Sequence, residues 1–409
     1  MEKLFTEALG MSEPWYVEKV EFQPGIKEGS KHLHIYVNHK TGVKFRVEKE
    51  GEEYSVYDHQ ERTWRHLNFF EHECYLHARL PRVKTSSGYT LLVDVPWAKP
   101  GSSFTLLFES YVCLLVKEGM SFSGVGRYMG ISGKRVYTII KNKTLTALVH
   151  QNVEEVEEAS LDETSYKKGH DYFTVLTDRK RKKVVGISTG KDQEAVNQAL
   201  IDMEVRGGSR QSIQTITMDM SRSYISAVDK YIPQAEIVFD RFHIEQHMNK
   251  VVDEVRKEES KQYTELKRNK YLWLRNKSNL KEDKKLKLNV LARSYPRLGK
   301  VHRLKEQLKE VLNEAAYSNK LAAINRWLKI AWRSGINQVQ DFVNMIHSHW
   351  YGIKTYFTNL KTNAYAERVN LKIQEIKRIA RGYSNTNNFI IMIYFHLGGL
   401  DLGLSTKNG

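Results

Sequence analysis

Three acids far apart in the chain have the residue type and the setting for metal-assisted chemistry: Asp162, Asp219 and Glu367. Asp219 closes the run "TITMDM", which reads as a buried strand. Asp162 follows a short strand inside "EEASLDETS", and Glu367 sits on the first turns of the late helix "TNAYAERVNLKIQEIKRIARGYSN". Taken singly, each is an ordinary surface or capping acid. Brought together, three carboxylates repel one another unless cations neutralise them. Two divalent ions would do so, while activating a water or a hydroxyl group and stabilising the leaving oxygen. Hard oxygen ligands select Mg²⁺ or Mn²⁺ over zinc. A second strand, "AEIVFD", also ends on an acid, Asp240, with His243 three residues later.

The elements around these acids must bring them together. After Asp219, "SRSYISAVDKYI" has helical spacing, with Tyr224, Ile225, Val228, Tyr231 and Ile232 near one face, and Pro233 stops it. Upstream, "YFTVLTD" and "KVVGIS" are strands joined by the polar turn Asp178–Lys183, and residues 192–206 form an amphipathic helix. The order is β-β-β-α-β-α-β. In an RNase H-like sheet its first and fourth strands are neighbours, so Asp162 and Asp219 stand side by side. Chemistry gathers beyond the carboxyl ends of such strands. A helix packed on the sheet delivers Glu367. That helix turns Val369, Ile373, Ile376 and Ile379 to the core and keeps Glu367, Asn370 and Gln374 on another face. Asn363 is its expected cap and Gly382 its end.

Composition narrows the partners. The chain has 409 residues, 41% hydrophobic and 11% aromatic, so it is globular with sizeable cores. Its formal net charge of +16 calls for a polyanion, most often nucleic acid. Two cysteines, Cys74 and Cys113, exclude a disulfide framework and a four-cysteine zinc site. No run of about 18 apolar residues suits a membrane span, so a cytoplasmic, nucleoid-associated protein is expected.

The flanking regions differ in character. Residues 1–100 alternate in the manner of a small module of short strands. His66, His72, Cys74 and His77 lie close together there, but alternation along a strand divides them between faces, and no standard zinc spacing fits. Residues 101–150 read as a helix-turn-helix. Ser121 or Ser123 caps one short helix, Gly130 turns, and Ser132 caps a second. The second helix packs Val136, Ile139 and Ile140 and exposes Lys134, Arg135, Lys141 and Lys143 to DNA. Residues 246–345 are long, helical and basic. Tyr271, Trp273 and Arg275 there read equally as parts of solvated helices or of a phosphate track.

Several segments are distinctive in combination: "WRHLNFF", "LHARLPRV", "VPWAKPGSSFTLLFE", "DETSYKKGHDY", "MDMSRSYI", "AEIVFDRFH", "TNAYAERVN" and "IKRIARGY". Through them the chain resembles insertion-sequence transposases of the ISL-three family, from about Lys31 to Leu400. The resemblance implies a DDE triad on an RNase H-like fold, falling by position on Asp162, Asp219 and Glu367. It implies an all-helical insertion between the last two. "DRFH" resembles the family's Asp-x-x-His element, which makes Asp240 and His243 supporting candidates. Cysteines are expected of the family about where Val47, Glu50 and Thr85 stand. On that departure no zinc is expected here, with packing through Phe45, Trp64 and Leu67 in compensation.

The resulting expectation is an α/β protein: an RNase H-like mixed sheet core (158–245 and 346–400) split by a helical insertion (246–345). A degenerate zinc-finger-like β module (1–100) and a helix-turn-helix (101–150) precede it. It would bind the terminal inverted repeats of a mobile element and target DNA as a homo-oligomer. With two Mg²⁺ or Mn²⁺ ions it would cut and transfer strands. A catalytically inert DNA-binding derivative and a structure-selective nuclease are the alternatives.

Overall fold

The computed structural model describes residues 1–25, 28–47, 51–167, 169, 171–313, 317–359 and 364–403. The chain divides into two compact units, one of residues 1–143 joined by the chain end from Asp401, the other Thr144–Leu400.

The first unit opens with α1 (Glu2–Ala8) and continues through β1 (Trp15–Pro24), β2 (Lys31–His39), β3 (Lys44–Arg46), β4 (Glu53–Phe69), β5 (His72–Lys84) and β6 (Thr90–Leu92). These strands form one mixed sheet in the order β1-β2-β5-β4-β3, with β6 on β5. Period-two alternation sets its faces. Leu33, Ile35 and Val37 of β2 and Cys74, Leu76 and Ala78 of β5 are buried. They join Trp15, Phe45 and Trp64 in one apolar cluster. Trp97 meets Trp15 and Trp64 edge-on, with ring centroids 5.0 and 5.8 Å apart. Leu67 is only half-buried and stays outside that cluster. Two strands are much longer than the short ones expected: β4 has 17 residues and β5 has 13, paired as a hairpin from Val56↔Val83 to Phe69↔His72. Residues 59–63 of β4 are all exposed, so alternation lapses in the middle of the strand and its full length does not show in the sequence.

The helix-turn-helix follows α2 (Leu106–Lys117). It consists of α3 (Phe122–Met129), Gly130 at φ 71°, and α4 (Gly133–His150). Ser121, not Ser123, caps α3 by accepting from Gly124 N, and Ser132 accepts from Arg135 N at 3.3 Å. Val136, Ile139 and Ile140 are buried as expected.

The second unit carries β7 (Glu158–Ser165), β8 (Tyr172–Asp178), β9 (Lys183–Thr189), α5 (Gln193–Glu204), β10 (Thr215–Met218), α6 (Arg222–Tyr231), β11 (Glu236–Phe239) and α7 (Arg241–Glu259). The sheet order is β11-β10-β7-β8-β9. The first and fourth strands of this unit, β7 and β10, are parallel neighbours. α5 lies so close to β9 that a Cβ on Gly186 would stand 2.1 Å from the Ala199 carbonyl oxygen. Backbone cannot yield there as a flexible side chain would. Gly186→Ala is therefore expected to lower unfolding free energy by about 3 kcal/mol or more, read from denaturant melts; an unchanged midpoint would refute the close contact.

Helices complete the unit: α8 (Glu265–Arg268), α9 (Lys270–Leu274), α10 (Glu282–Ser294), α11 (Pro296–Asn313), α12 (Tyr317–Trp332), α13 (Asn337–Ser348), α14 (Trp350–Asn359), α15 (Ala364–Ile379) and α16 (Thr386–Leu397). Trp273 is 0% exposed, so it belongs to the helical core and not to a surface track, whereas Tyr271 is exposed. Lys305, also buried, donates to the Trp273 and Arg275 carbonyls at 2.9 and 3.0 Å, closing the end of α9. Among the described residues no helix is long and apolar enough to cross a membrane.

Candidate active site

Strand register sets the level of the acids. β7 pairs with β10 at Ser160↔Thr217, and β10 pairs with β11 at Met218↔Phe239. Continuing these parallel registers sets Asp219 beside Asp162 on one side and beside Asp240 on the other. Asp162 lies within β7, opposite Val175 of β8, and not after a strand as its sequence context suggested. The reason is that β7 runs on past the end of its partner β10. Its last residues keep only the β8 ladder and leave their other edge open.

Each carboxylate is held by backbone. Asp162 Oδ1 accepts from Glu163 N at 2.8 Å. Asp219 Oδ1 accepts from Ser221 N at 2.9 Å, at the start of α6. Asp240, buried, caps α7 by accepting from Phe242 N at 3.1 Å. His243 follows in the first turn of α7. α15 meets the same edge: Asn370 Nδ2 donates to Asp162 Oδ2 at 2.8 Å, and Gln374 Nε2 donates to Thr164 Oγ1 and the Ser165 carbonyl, each at 2.9 Å. Glu367 is exposed one turn before Asn370. Asn363, the expected cap of α15, lies outside the described residues, as does Glu50.

These groups line one open cleft of about 720 Å³, which contains Asp162, Asp219, Asp240, His243 and Glu367. Burial pushes the Asp162 carboxyl up to about 6, and the charges of Asp219 and Asp240 add to it; the Glu163 N–H and His243 pull the other way. Glu163 also lines the cleft, and burial raises its carboxyl too, with Asp219 contributing. Its position was not legible in the sequence, because neighbouring strand residues are expected on opposite faces and only the open edge of β7 lets both reach the cleft. His247, one turn beyond His243, is held below the usual imidazole range by burial and by Lys250. Among the described residues no three His, Cys, Asp or Glu side chains close on a single point as the ligands of a bound ion would.

The basic residues of α4 separate. Lys134 and Arg135 are exposed and Lys141 is half-buried. Lys143 is 7% exposed, contrary to expectation, and its Nζ donates to Ser110 Oγ at 3.4 Å. The physical reason is spacing: 136, 139, 140 and 143 fall on one helical stripe, and that stripe is the packed one. The histidines of the β module also separate. His66 Nδ1 bonds Thr105 Oγ1 at 2.8 Å, His72 Nδ1 bonds the Lys31 carbonyl at 3.1 Å, and His77 Nε2 meets His34 Nδ1 at 2.8 Å.

A transposase model of the DDE type from the ISL3 family matches residues 160–393, more than half of the chain. The chain belongs to the ISL3 transposase family. A model of the helix-turn-helix domain of transposase family ISL3 matches residues 93–142, over α2, α3 and most of α4. Curated relatives are similar over nearly their whole length. The transposase for insertion sequence element IS1001 of Bordetella parapertussis is 25% identical, covering 96% of this chain and 98% of that protein. The transposase for insertion sequence element IS1557 of Mycobacterium tuberculosis is 24% identical, covering 97% and 96%.

A third match corrects the sequence reading. The zinc-finger model of transposases IS204/IS1001/IS1096/IS1165 covers residues 51–84, which points to zinc binding in this ISL3 family member and overturns the expectation of none. Substituted cysteine positions alone did not warrant that expectation, because the strands that carry the motif persist. Within the matched segment, the donors described do not gather in one place. Cys74 is buried, with its thiol pushed up to about 11 by burial, and burial holds His66 down to about 4. Thr85, at the end of β5, is buried and bonds Ser87 Oγ at 2.8 Å.

Proposed function

We propose that this protein is an insertion-sequence transposase that binds the ends of its element, cuts strands there and transfers them to target DNA. The observation that carries the reading is the register that sets Asp162 and Asp219 side by side, with α15 docked on Asp162 and Glu367 one turn away. The order of the core sheet supports an RNase H-like core in two parts, 158–245 and 346–400, interrupted by the helices of 246–345. The relatives' names and the family's DDE domain support the same assignment.

In this reading Asp162, Asp219 and Glu367 hold two Mg²⁺ or Mn²⁺ ions. The donor set fits such ions: hard carboxylate oxygens, with Asp162 raised by burial and further by the charges of Asp219 and Asp240. When bound, the ions supply charge neutralisation and activation of the attacking oxygen. The chain's own residues do the positioning. Backbone N–H groups at the starts of α6 and α7 fix Asp219 and Asp240, and α15 fixes Asp162. Asp240 and His243 support the ligands from beside β10. Lys134, Arg135 and Lys141 contact the DNA of the element end, with α4 in the major groove. Both chemical steps are in-line phosphoryl transfers, so orientation and charge neutralisation are the protein's main contribution.

The test is cleavage of a duplex bearing the terminal inverted repeat, with Mg²⁺ or Mn²⁺, followed across pH. Nicks at the repeat boundary and joining of the freed 3′ ends are expected. The rate should fall as pH drops through about 6, because Asp162 must lose its proton before it can bind an ion. Cleavage without preference for the repeat would indicate a nuclease, and end binding without cleavage an inert derivative.

A further inference from the structure

Asp162 is touched across 208 positions of sequence by a neutral side chain, the Asn370 amide. With Asp162 Oδ1 taken by Glu163 N, the Asn370 bond to Oδ2 leaves the carboxylate no freedom to rotate. Its remaining lone pairs are thereby fixed in the cleft. The orientation of the amide follows from chemistry. Turned over, its oxygen would face an ionised carboxylate at the same 2.8 Å, which is repulsive. The same amide has a second feature. Among the described residues Asn370 Oδ1 is buried and has no hydrogen-bond partner. A buried carbonyl oxygen left without a donor costs about 1–3 kcal/mol, and such an atom beside a functional cleft calls for a partner from outside the chain. Asn370 lines the cleft, which is the side from which such a partner would approach.

We propose that Asn370 is a positioning residue of the divalent-ion site. Its N–H orients Asp162, and its Oδ1 coordinates the ion or accepts a hydrogen bond from a water the ion carries. The proposal rests on the reading of this cleft as the transposase metal site. It assigns to a neutral amide the part that pure carboxylate sites lack, an oxygen donor that adds no repulsion. Gln374, one turn on, also ties α15 to β7, but through Thr164 and Ser165 and without touching Asp162. The two side chains therefore separate orientation of Asp162 from docking of the helix.

Mn²⁺ binding to the full chain without DNA, followed by electron paramagnetic resonance, tests this, with melting curves to confirm folding. Asn370→Ala should weaken Mn²⁺ binding about 10–100-fold, the usual effect of losing a group that orients a ligand. Gln374→Ala should change it less than about threefold. Asn370→Ser, too short to reach Asp162, replaces the alanine variant should that one fail to fold. Equal weakening by Asn370→Ala and Gln374→Ala would overturn the proposal, since helix docking would then account for both. Mn²⁺ binding lost in Asp219→Asn but intact in Asn370→Ala would overturn the role of Asn370 and leave the carboxylate site standing. Binding unchanged in both Asp219→Asn and Asn370→Ala would overturn the carboxylate site itself, and the proposal with it.

Discussion

Asp219→Asn is expected to abolish metal-dependent nicking of element ends while leaving end binding within about twofold of the native protein. The substitution is gentle to the fold. Asn keeps the side-chain oxygen that accepts from Ser221 N at the start of α6, so the turn out of β10 survives. What is lost is one negative charge beside Asp162, on the side of the cleft where a cation would be held. Loss of a charged ligand at such a site removes both the positioning of the ion and the charge stabilisation of the leaving oxygen, on the order of a thousandfold or more in rate. In the proposed reading DNA recognition belongs to a different part of the chain, the exposed Lys134 and Arg135 of α4, and should be untouched. Gel-shift and nicking assays on one preparation decide it. Native nicking by the variant would remove Asp219 from the catalytic assignment.

Asp162→Asn is the second change with a large expected effect, and here activity and stability part company. Burial raises the Asp162 carboxyl from the usual 3.8 to about 6. A folded-state value above the unfolded one means that the folded chain prefers the protonated acid. Ionisation is then a cost of folding, absent at low pH, growing between about 4 and 6, and complete above about 6. Asn is nearly isosteric and uncharged, so it escapes that cost, and a reoriented Asn370 amide can offer it the free Oδ1. In EDTA at pH 8 the variant should therefore be more stable than the native protein by on the order of 1–3 kcal/mol, with the gain fading as pH falls from about 6 to about 4. Added Mg²⁺ should stabilise the native protein and not the variant. Nicking should be lost as in Asp219→Asn. Denaturant melts across pH, with and without Mg²⁺, read all of this; a variant less stable at pH 8, or a difference flat in pH, would mean that burial does not strain Asp162.

Much of the cleft was legible because its parts are local. Asp219 and Asp240 each end an apolar run and each begin a helix, and both signals lie within a few residues. The β-β-β-α-β-α-β order was readable for the same reason, from period-two and period-3.6 patterns bounded by turns. The face shared by Glu367, Asn370 and Gln374 is a matter of helical spacing alone. Lys143 sets two local signals against each other: its spacing from Val136 and Ile140 puts it on the packed stripe while its charge favours exposure, and the packing prevails. Trp273 stood between two readings because a tryptophan amid lysines looks the same on a surface track as in the core of a helical bundle.

The sequence by itself determined the order of the elements, the acids Asp219 and Asp240 that follow two of the strands, and the basic balance that calls for a polyanion, since these depend on the residues alone and their neighbours along the chain. Only the tertiary structure decided that β7 outruns β10. That overhang lets Asp162 and Glu163 reach one cleft, buries Asp162 enough to raise its carboxyl, and gives it an amide partner from α15. Strand overhang, burial and contacts across two hundred residues come from how separate elements pack, and no pattern within a single element records them.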